Sequence, residues 1–252
     1  MDLLPAFSWP LALYSGLILL LAYTVRGVIG FASALIAVPL LSLRLPLVMV
    51  VPVVGLLDYS ASLTQGLQGR RLIRWRDIWP LAPFTAAGVT VGLHLLAGLR
   101  QGVLALFLGL FIVGYAIYTL LPFPPWRGSR RWAAPAGFLG GFVGAVFGTG
   151  GPFYVVYLRL RQLEKSEFRA SAAAIFLADG ALRLGGYATA GFYGGEVLWL
   201  ALAGLPVAAA GLFIGHRVHL SISQRGFVRL LGVVLLASGL ALIVKNLLRG
   251  IP

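Results

Sequence analysis

Apolar residues run along this chain in eight long stretches, near residues 11–43, 47–66, 78–98, 102–121, 134–160, 168–188, 196–216 and 226–245, separated by short polar, Pro- or Gly-bearing breaks. Most have about the ~20 residues that a helix needs to cross ~30 Å of hydrocarbon, so each reads as a membrane-spanning helix. Two differ. The stretch 11–43 is too long for one straight crossing, and 134–160 contains Gly148-Thr149-Gly150-Gly151-Pro152, a run that an uninterrupted helix tolerates only at high cost. Both are expected to be broken in the middle.

The two broken stretches hold the same place in each half of the chain, and the halves can be aligned. Val28-Ile29-Gly30 and Val38-Pro39-Leu40 match Val146-Phe147-Gly148 and Val156-Tyr157-Leu158 at an offset of 118, and Leu57-Asp58 matches Ala178-Asp179 at 121. Pro83, Ala86, Ala87, Gly88 and Gly92 then match Pro206, Ala209, Ala210, Gly211 and Gly215 at 123. Residues 10–121 and 133–245 are therefore expected to be two copies of one four-segment unit within a single transmembrane domain spanning 1–252.

The basic residues decide between two topologies. If all eight segments cross once, Lys and Arg divide nine against eight between the two sides, which is no bias. If each broken segment instead returns to the side it entered, the split is thirteen against four, with only Arg44, Arg100, Lys245 and Arg249 on the poorer side. The positive-inside rule favours the second arrangement, which puts both termini in the periplasm. Each copy then has three full crossings plus a re-entrant segment, and an odd number of crossings inverts one copy relative to the other. The expected fold class is an all-α integral membrane protein of about eight helical segments in two inverted repeats. The first segment of each repeat is broken or re-entrant, an architecture found in many secondary transporters.

Composition agrees. Of 252 residues, 60% are apolar and only 11% are Asp, Glu, Lys or Arg, well under the roughly 25% charge of a soluble domain. The formal net charge of +13 would suggest a nucleic-acid partner in a soluble protein, but here the basic residues cluster at the ends of apolar runs and act as orientation signals. Arg70 to Arg76 around Trp75, and Arg127 to Arg131 beside Trp126 and Trp132, read as interface anchors in contact with lipid headgroups. No cysteine is present, which removes thiolate chemistry and disulfides, and no basic region precedes the first apolar run to mark a cleaved signal.

Candidate chemistry gathers at the breaks. Irregular backbone at membrane depth persists only where protein or a water-filled cavity satisfies it, so the breaks are expected to face each other. At Gly148, Thr149, Gly150 and Gly151 a half-helix can restart with Pro152 in its first turn, presenting the positive end of its dipole to an anion. In the first repeat the matching stretch is Gly30-Phe31-Ala32-Ser33, where Ser33 is expected to cap the half-helix or offer its hydroxyl to a ligand. The competing reading is that these glycines only permit close helix packing.

Ionisable groups inside spans are costly and functional by default, and Arg26, Asp58, Asp179 and Arg183 stand out. Asp58, Ser62 and Gln65 fall on one helix face, as do Asp179, Arg183 and Tyr187 in the repeat mate. Two readings stay open: an internal Asp179–Arg183 pair with Asp58 hydrogen-bonded to neighbours, or Arg183 as a bidentate anion ligand with one aspartate carrying a proton. Arg26 either joins Arg183 in that role or snorkels to the interface. His94, His216 and His219 stand alone and do not form a metal site. Motifs of an intramembrane metalloprotease, a Gly-x-Ser-x-Gly hydrolase or an ATP motor are missing.

The stretch from Gly30 to Leu41 and its mate from Gly144 to Pro152 resemble the paired glycine-rich motifs of the TauE/SafE sulfite exporter family, also known as the 4-toluene sulfonate uptake permease family. Length and repeat layout extend the resemblance over nearly the whole chain. It implies a bacterial inner-membrane carrier of small anions such as sulfite, thiosulfate or an organosulfonate, working without a cofactor. The first motif lacks the consecutive glycines of many members, which leaves the substrate open.

The combined expectation is a secondary transporter, an exporter or proton-linked carrier, that holds its anion between Gly30–Ser33 and Gly148–Gly151. Arg183, Arg26 and Gln65 would be ligands, and Asp58 and Asp179 would couple transport to protons or hold the arginines. The alternatives are an anion channel with the same pore, and, less favoured, an intramembrane enzyme.

Overall fold

The computed structural model describes residues 9–30, 32–66, 70–121, 128–218 and 224–248. The described residues are almost entirely helical, and the first apolar stretch divides into α1 (Trp9–Ile29) and α2 (Ser33–Ser42). α3 (Leu47–Gly66) follows, then a short α4 (Trp75–Ile78) that leads through a 3-10 turn into α5 (Ala82–Gly98), and then α6 (Gln101–Leu120). The second half comprises α7 (Ala133–Phe147), α8 (Gly151–Leu160), α9 (Lys165–Thr189), α10 (Gly195–Val218) and α11 (Gln224–Leu248). Leu13, Leu17, Phe107, Leu110, Leu202 and Phe213 are among many large apolar side chains left facing outward, as a lipid-embedded protein requires.

Both expected breaks are present, and both use the left-handed backbone. Gly30 has φ +90° and Gly148 φ +70°, each closing its half-helix with an N–H bond to the carbonyl four residues earlier, Arg26 or Gly144. Glycine takes this conformation without steric penalty, which is why helices so often end on it. Ala32, at φ 83°, carries the same twist without being glycine.

Each broken segment folds back. Near the start of α1, the Tyr14 hydroxyl donates to the carbonyl of Leu40 near the end of α2, at 2.5 Å. In the second half the N–H of Gly128, just ahead of α7, donates to the carbonyl of Leu160 at the end of α8, at 3.1 Å. With ten residues each, α2 and α8 rise only about 15 Å, half of a ~30 Å hydrocarbon layer.

Glycine contacts show how the long helices pair. Gly88 and Gly92 of α5 lie against α7 so closely that an added methyl would strike the Phe138 and Phe142 carbonyls, while Gly211 and Gly215 of α10 meet the Leu20 and Thr24 carbonyls of α1 in the same way. In both pairs residue numbers rise together, so the helices run parallel; α6 and α11 pack antiparallel, through Gly109 and Gly239. α3 and α9 pack at the centre.

Charges divide between the ends of the bundle. At one end, buried Asp77 holds Arg130 at 3.1 Å and Arg161 at 3.0 Å, with Arg71, Arg74, Arg76 and Arg131 exposed nearby in the chain. At the other, Lys245 of α11 donates to the Leu43 carbonyl at 2.7 Å, close to the end of α2, and Arg44 sits over the Tyr14 ring.

Candidate functional site

A cavity of about 50 Å³ lies where the two breaks meet, walled by Ala32 and Ser33 from one side and Gly148, Thr149, Gly151 and Pro152 from the other. On this measure one water occupies about 10–15 Å³, so the space admits several waters or one compact oxyanion. Arg26 and Asp58 line it from the first half of the chain, Asp179 and Arg183 from the second. The backbone irregularities and the membrane-depth charges therefore converge on one place.

In the first half, Arg26 of α1 reaches Asp58 of α3 with Nη1 2.9 Å from Oδ1. Its Nη2 donates to the Ser62 hydroxyl at 2.7 Å, and its Nη1 to Ser33 at 3.1 Å. Asp58 Oδ1 also accepts from the hydroxyls of Tyr23, at 2.7 Å, and Ser33, at 2.6 Å. Arg26 is buried, so it does not snorkel. Ser33 does not cap its half-helix; Ala32 holds the cap position and the Ser33 hydroxyl bonds Asp58 and Arg26 instead.

In the second half, Arg183 and Asp179 form an i, i+4 pair on α9, with Nε 2.9 Å from Oδ2. Arg183 Nη1 donates to the Gly144 carbonyl at 3.1 Å, and the Tyr154 hydroxyl of α8 donates to Asp179 Oδ1 at 3.0 Å. Tyr187, the next member of the α9 stripe, donates to the Ala145 carbonyl at 2.7 Å and so fixes the end of α7.

Two guanidinium groups and two carboxylates make the cavity formally neutral. Taking one member from such a buried pair leaves an uncompensated charge and costs about 3–5 kcal/mol, so the pairs hold each other in place. On this wall Arg26 Nε and, apart from its ion pair, Arg183 Nε have no hydrogen-bond partner among the described residues, and neither does the Thr149 hydroxyl, 2% exposed. Thr149 stands just ahead of α8, whose first turn from Gly151 onward has no earlier helical carbonyls to bond. An anion seated there would meet a hydroxyl donor, the positive end of a half-helix and, within the same cavity, Arg183.

Not every expected residue reaches the wall. A methyl on Gly150 would strike the Gly140 carbonyl of α7, so this glycine serves the close approach of α8 to α7. Gly30 shapes the turn, with open space around it. The Gln65 side chain lies outside the described residues. The tyrosines on the two aspartates escape sequence reasoning: Tyr23 is three residues before Arg26 on α1, a weak signal, and Tyr154 is separated from Asp179 by a loop. Asp77, buried among arginines in the short α4, is equally invisible in the sequence. Among the described residues no group of His and carboxylates has a metal-binding arrangement.

Helices long and apolar enough to cross a bilayer, together with a polar cavity between two broken ones, define a membrane transporter class. The sulfite exporter TauE/SafE family model matches residues 15–242, and the chain belongs to that family. It is also 31% identical over 196 residues, 74% of this chain and 80% of the relative, to the "probable inner membrane transporter protein TsaS" of Comamonas testosteroni. No solved structure matches significantly.

Proposed function

We propose that this family member is a secondary carrier of a small anion, sulfite, thiosulfate or a small sulfonate, that holds its cargo in the cavity between the two breaks. The observation that carries this reading is the Thr149 hydroxyl, buried and unpartnered at the start of α8 on the wall that Arg183 shares. The sulfite exporter family model and the relative's description as an inner membrane transporter support the cargo class and the inner membrane as its location.

The same reading gives the protons a role. Each arginine is already neutralised, so an incoming anion competes with a carboxylate for the guanidinium. Protonating Asp179 or Asp58 releases the arginine and cancels the carboxylate charge, so anion and proton occupy the site together. The paired breaks, the matching α5–α7 and α10–α1 contacts and the antiparallel α6–α11 pair support two inverted repeats. With the arginine-rich end in the cytoplasm, both termini are periplasmic.

Uptake of sulfite, thiosulfate and methanesulfonate into proteoliposomes tests the proposal. A saturable flux of at least one of them, stimulated by the same anion inside and lost in Arg183→Gln, is the expected result. Flux without trans-stimulation identifies a channel, and no flux of any of the three by folded protein rejects the cargo class.

A further inference from the structure

A second cavity, of about 430 Å³ and almost wholly apolar, opens between α6, α7 and α8. Phe111 and Tyr115 wall it from α6, Ala136 and Leu139 from α7, and Phe153 and Val156 from α8. It follows α8 along its whole length, from Pro152 at mid-depth to Leu160 and Trp132 at the arginine-rich end. At ten residues and about 15 Å, that is the depth of one leaflet.

The matching place in the first half is closed. There α11 packs on α2, and Lys245 ties the end of α11 to the Leu43 carbonyl. On this side α6 meets α8 at the Phe111–Phe153 ring pair, centroids 5.9 Å apart, and the space beside it is left open. Gly114 of α6 faces the gap, and a methyl built on it meets nothing within 4 Å. Apolar space of this size, reached from the side of a lipid-embedded bundle, has hydrocarbon as its available filler.

Two arginines adjoin residues of the crevice wall in the chain. Trp132, 44% exposed, forms the rim, and Arg131 and Arg159 are both exposed and form no ion pair among the described residues. Arg159, one residue before Leu160 of the wall, lies close enough to Tyr115 to act on it electrostatically. Basic clefts between membrane helices at the cytoplasmic side are where anionic headgroups bind, and Trp favours the same depth.

The geometry points to a phospholipid site: one acyl chain of an anionic lipid lies in the crevice along α8, with its phosphate held by Arg131 and Arg159. Pro152 walls both this crevice and the polar cavity, so the bound chain braces the half-helix whose start forms the anion site.

Native mass spectrometry of protein released from nanodiscs of phosphatidylglycerol or phosphatidylcholine is the test. Wild type is expected to retain one phosphatidylglycerol per chain, at least fivefold over phosphatidylcholine. Gly114→Phe, which fills the gap, lowers retention at least tenfold, and Arg131→Gln with Arg159→Gln erases the headgroup preference while the chain still binds. Equal retention of the two lipids by wild type, or retention unchanged in Gly114→Phe, overturns the site. So does a dimer that Gly114→Phe dissociates, because a second copy would then fill the crevice. A second measurement needs no filled cavity: the fluorescence lost in Trp132→Phe should be quenched more by brominated-chain phosphatidylglycerol than by brominated phosphatidylcholine, and equal quenching contradicts the proposal.

Discussion

Arg183 donates from Nη1 to the carbonyl of Gly144 at 3.1 Å, and in the proposed alignment of the two halves Gly144 matches Arg26. The exchange is reciprocal. Ser62, which accepts from Arg26, matches Arg183 in the same proposed alignment. Each half thus places one guanidinium beside its aspartate, from α1 in one and from α9 in the other, and glycine at 144 leaves the space that the Arg183 side chain crosses.

That exchange predicts a rescue. Arg183→Ser leaves Asp179 buried without its cation and should reduce anion flux at least about 30-fold, close to the 2 kcal/mol that a charge-assisted contact is worth. Adding Gly144→Arg rebuilds the arrangement of the first half and is expected to restore a tenth or more of the flux. Flux in proteoliposomes measures both, and no recovery in the folded double variant removes the equivalence of the two positions.

Proton coupling has a defined sign. If the carboxylate must take a proton before the anion binds its arginine, uptake rises when the entry side is made acid. Asp179→Asn, with no carboxylate to protonate, should lose at least tenfold of that acceleration while some gradient-independent flux remains. A pH response equal to that of wild type in both Asp179→Asn and Asp58→Asn moves the coupling elsewhere.

Topology is testable because the chain has no cysteine. Single cysteines at Arg44 and Lys245 should react with a membrane-impermeant maleimide added to intact cells, and cysteines at Arg131 and Arg76 only after lysis. Labelling of all four from one side contradicts the two hairpins as membrane features.

Glycine substitutions should divide by contact. Gly215→Ala puts a methyl on the Thr24 carbonyl and Gly88→Ala one on the Phe138 carbonyl, so each should cost about 1–3 kcal/mol and lower the detergent melting temperature. Gly114→Ala, with nothing within 4 Å, should leave it unchanged within about 0.5 kcal/mol.

The breaks were legible in the sequence because Gly148-Thr149-Gly150-Gly151-Pro152 has few other uses inside an apolar run, and the α9 pair was legible because Asp179 and Arg183 are one turn apart. The Arg26–Asp58 pair was not, since it depends on α1 docking against α3 across 32 residues of chain. The roles of neighbouring glycines were equally hidden: Gly148 and Gly151 wall the cavity while Gly150, between them, packs on α7. Only the path of the helices separates a glycine that admits a ligand from one that admits a neighbour.

Equilibrium binding to detergent-solubilised protein tests the central claim most directly, using the radiolabelled anion that the flux panel selects. Thr149→Val, which keeps shape and removes the free hydroxyl, and Arg183→Gln should each weaken binding at least tenfold, while Arg217→Gln, at the exposed end of α10, should not. Wild-type affinity in both Thr149→Val and Arg183→Gln would contradict the placement of the anion between the breaks.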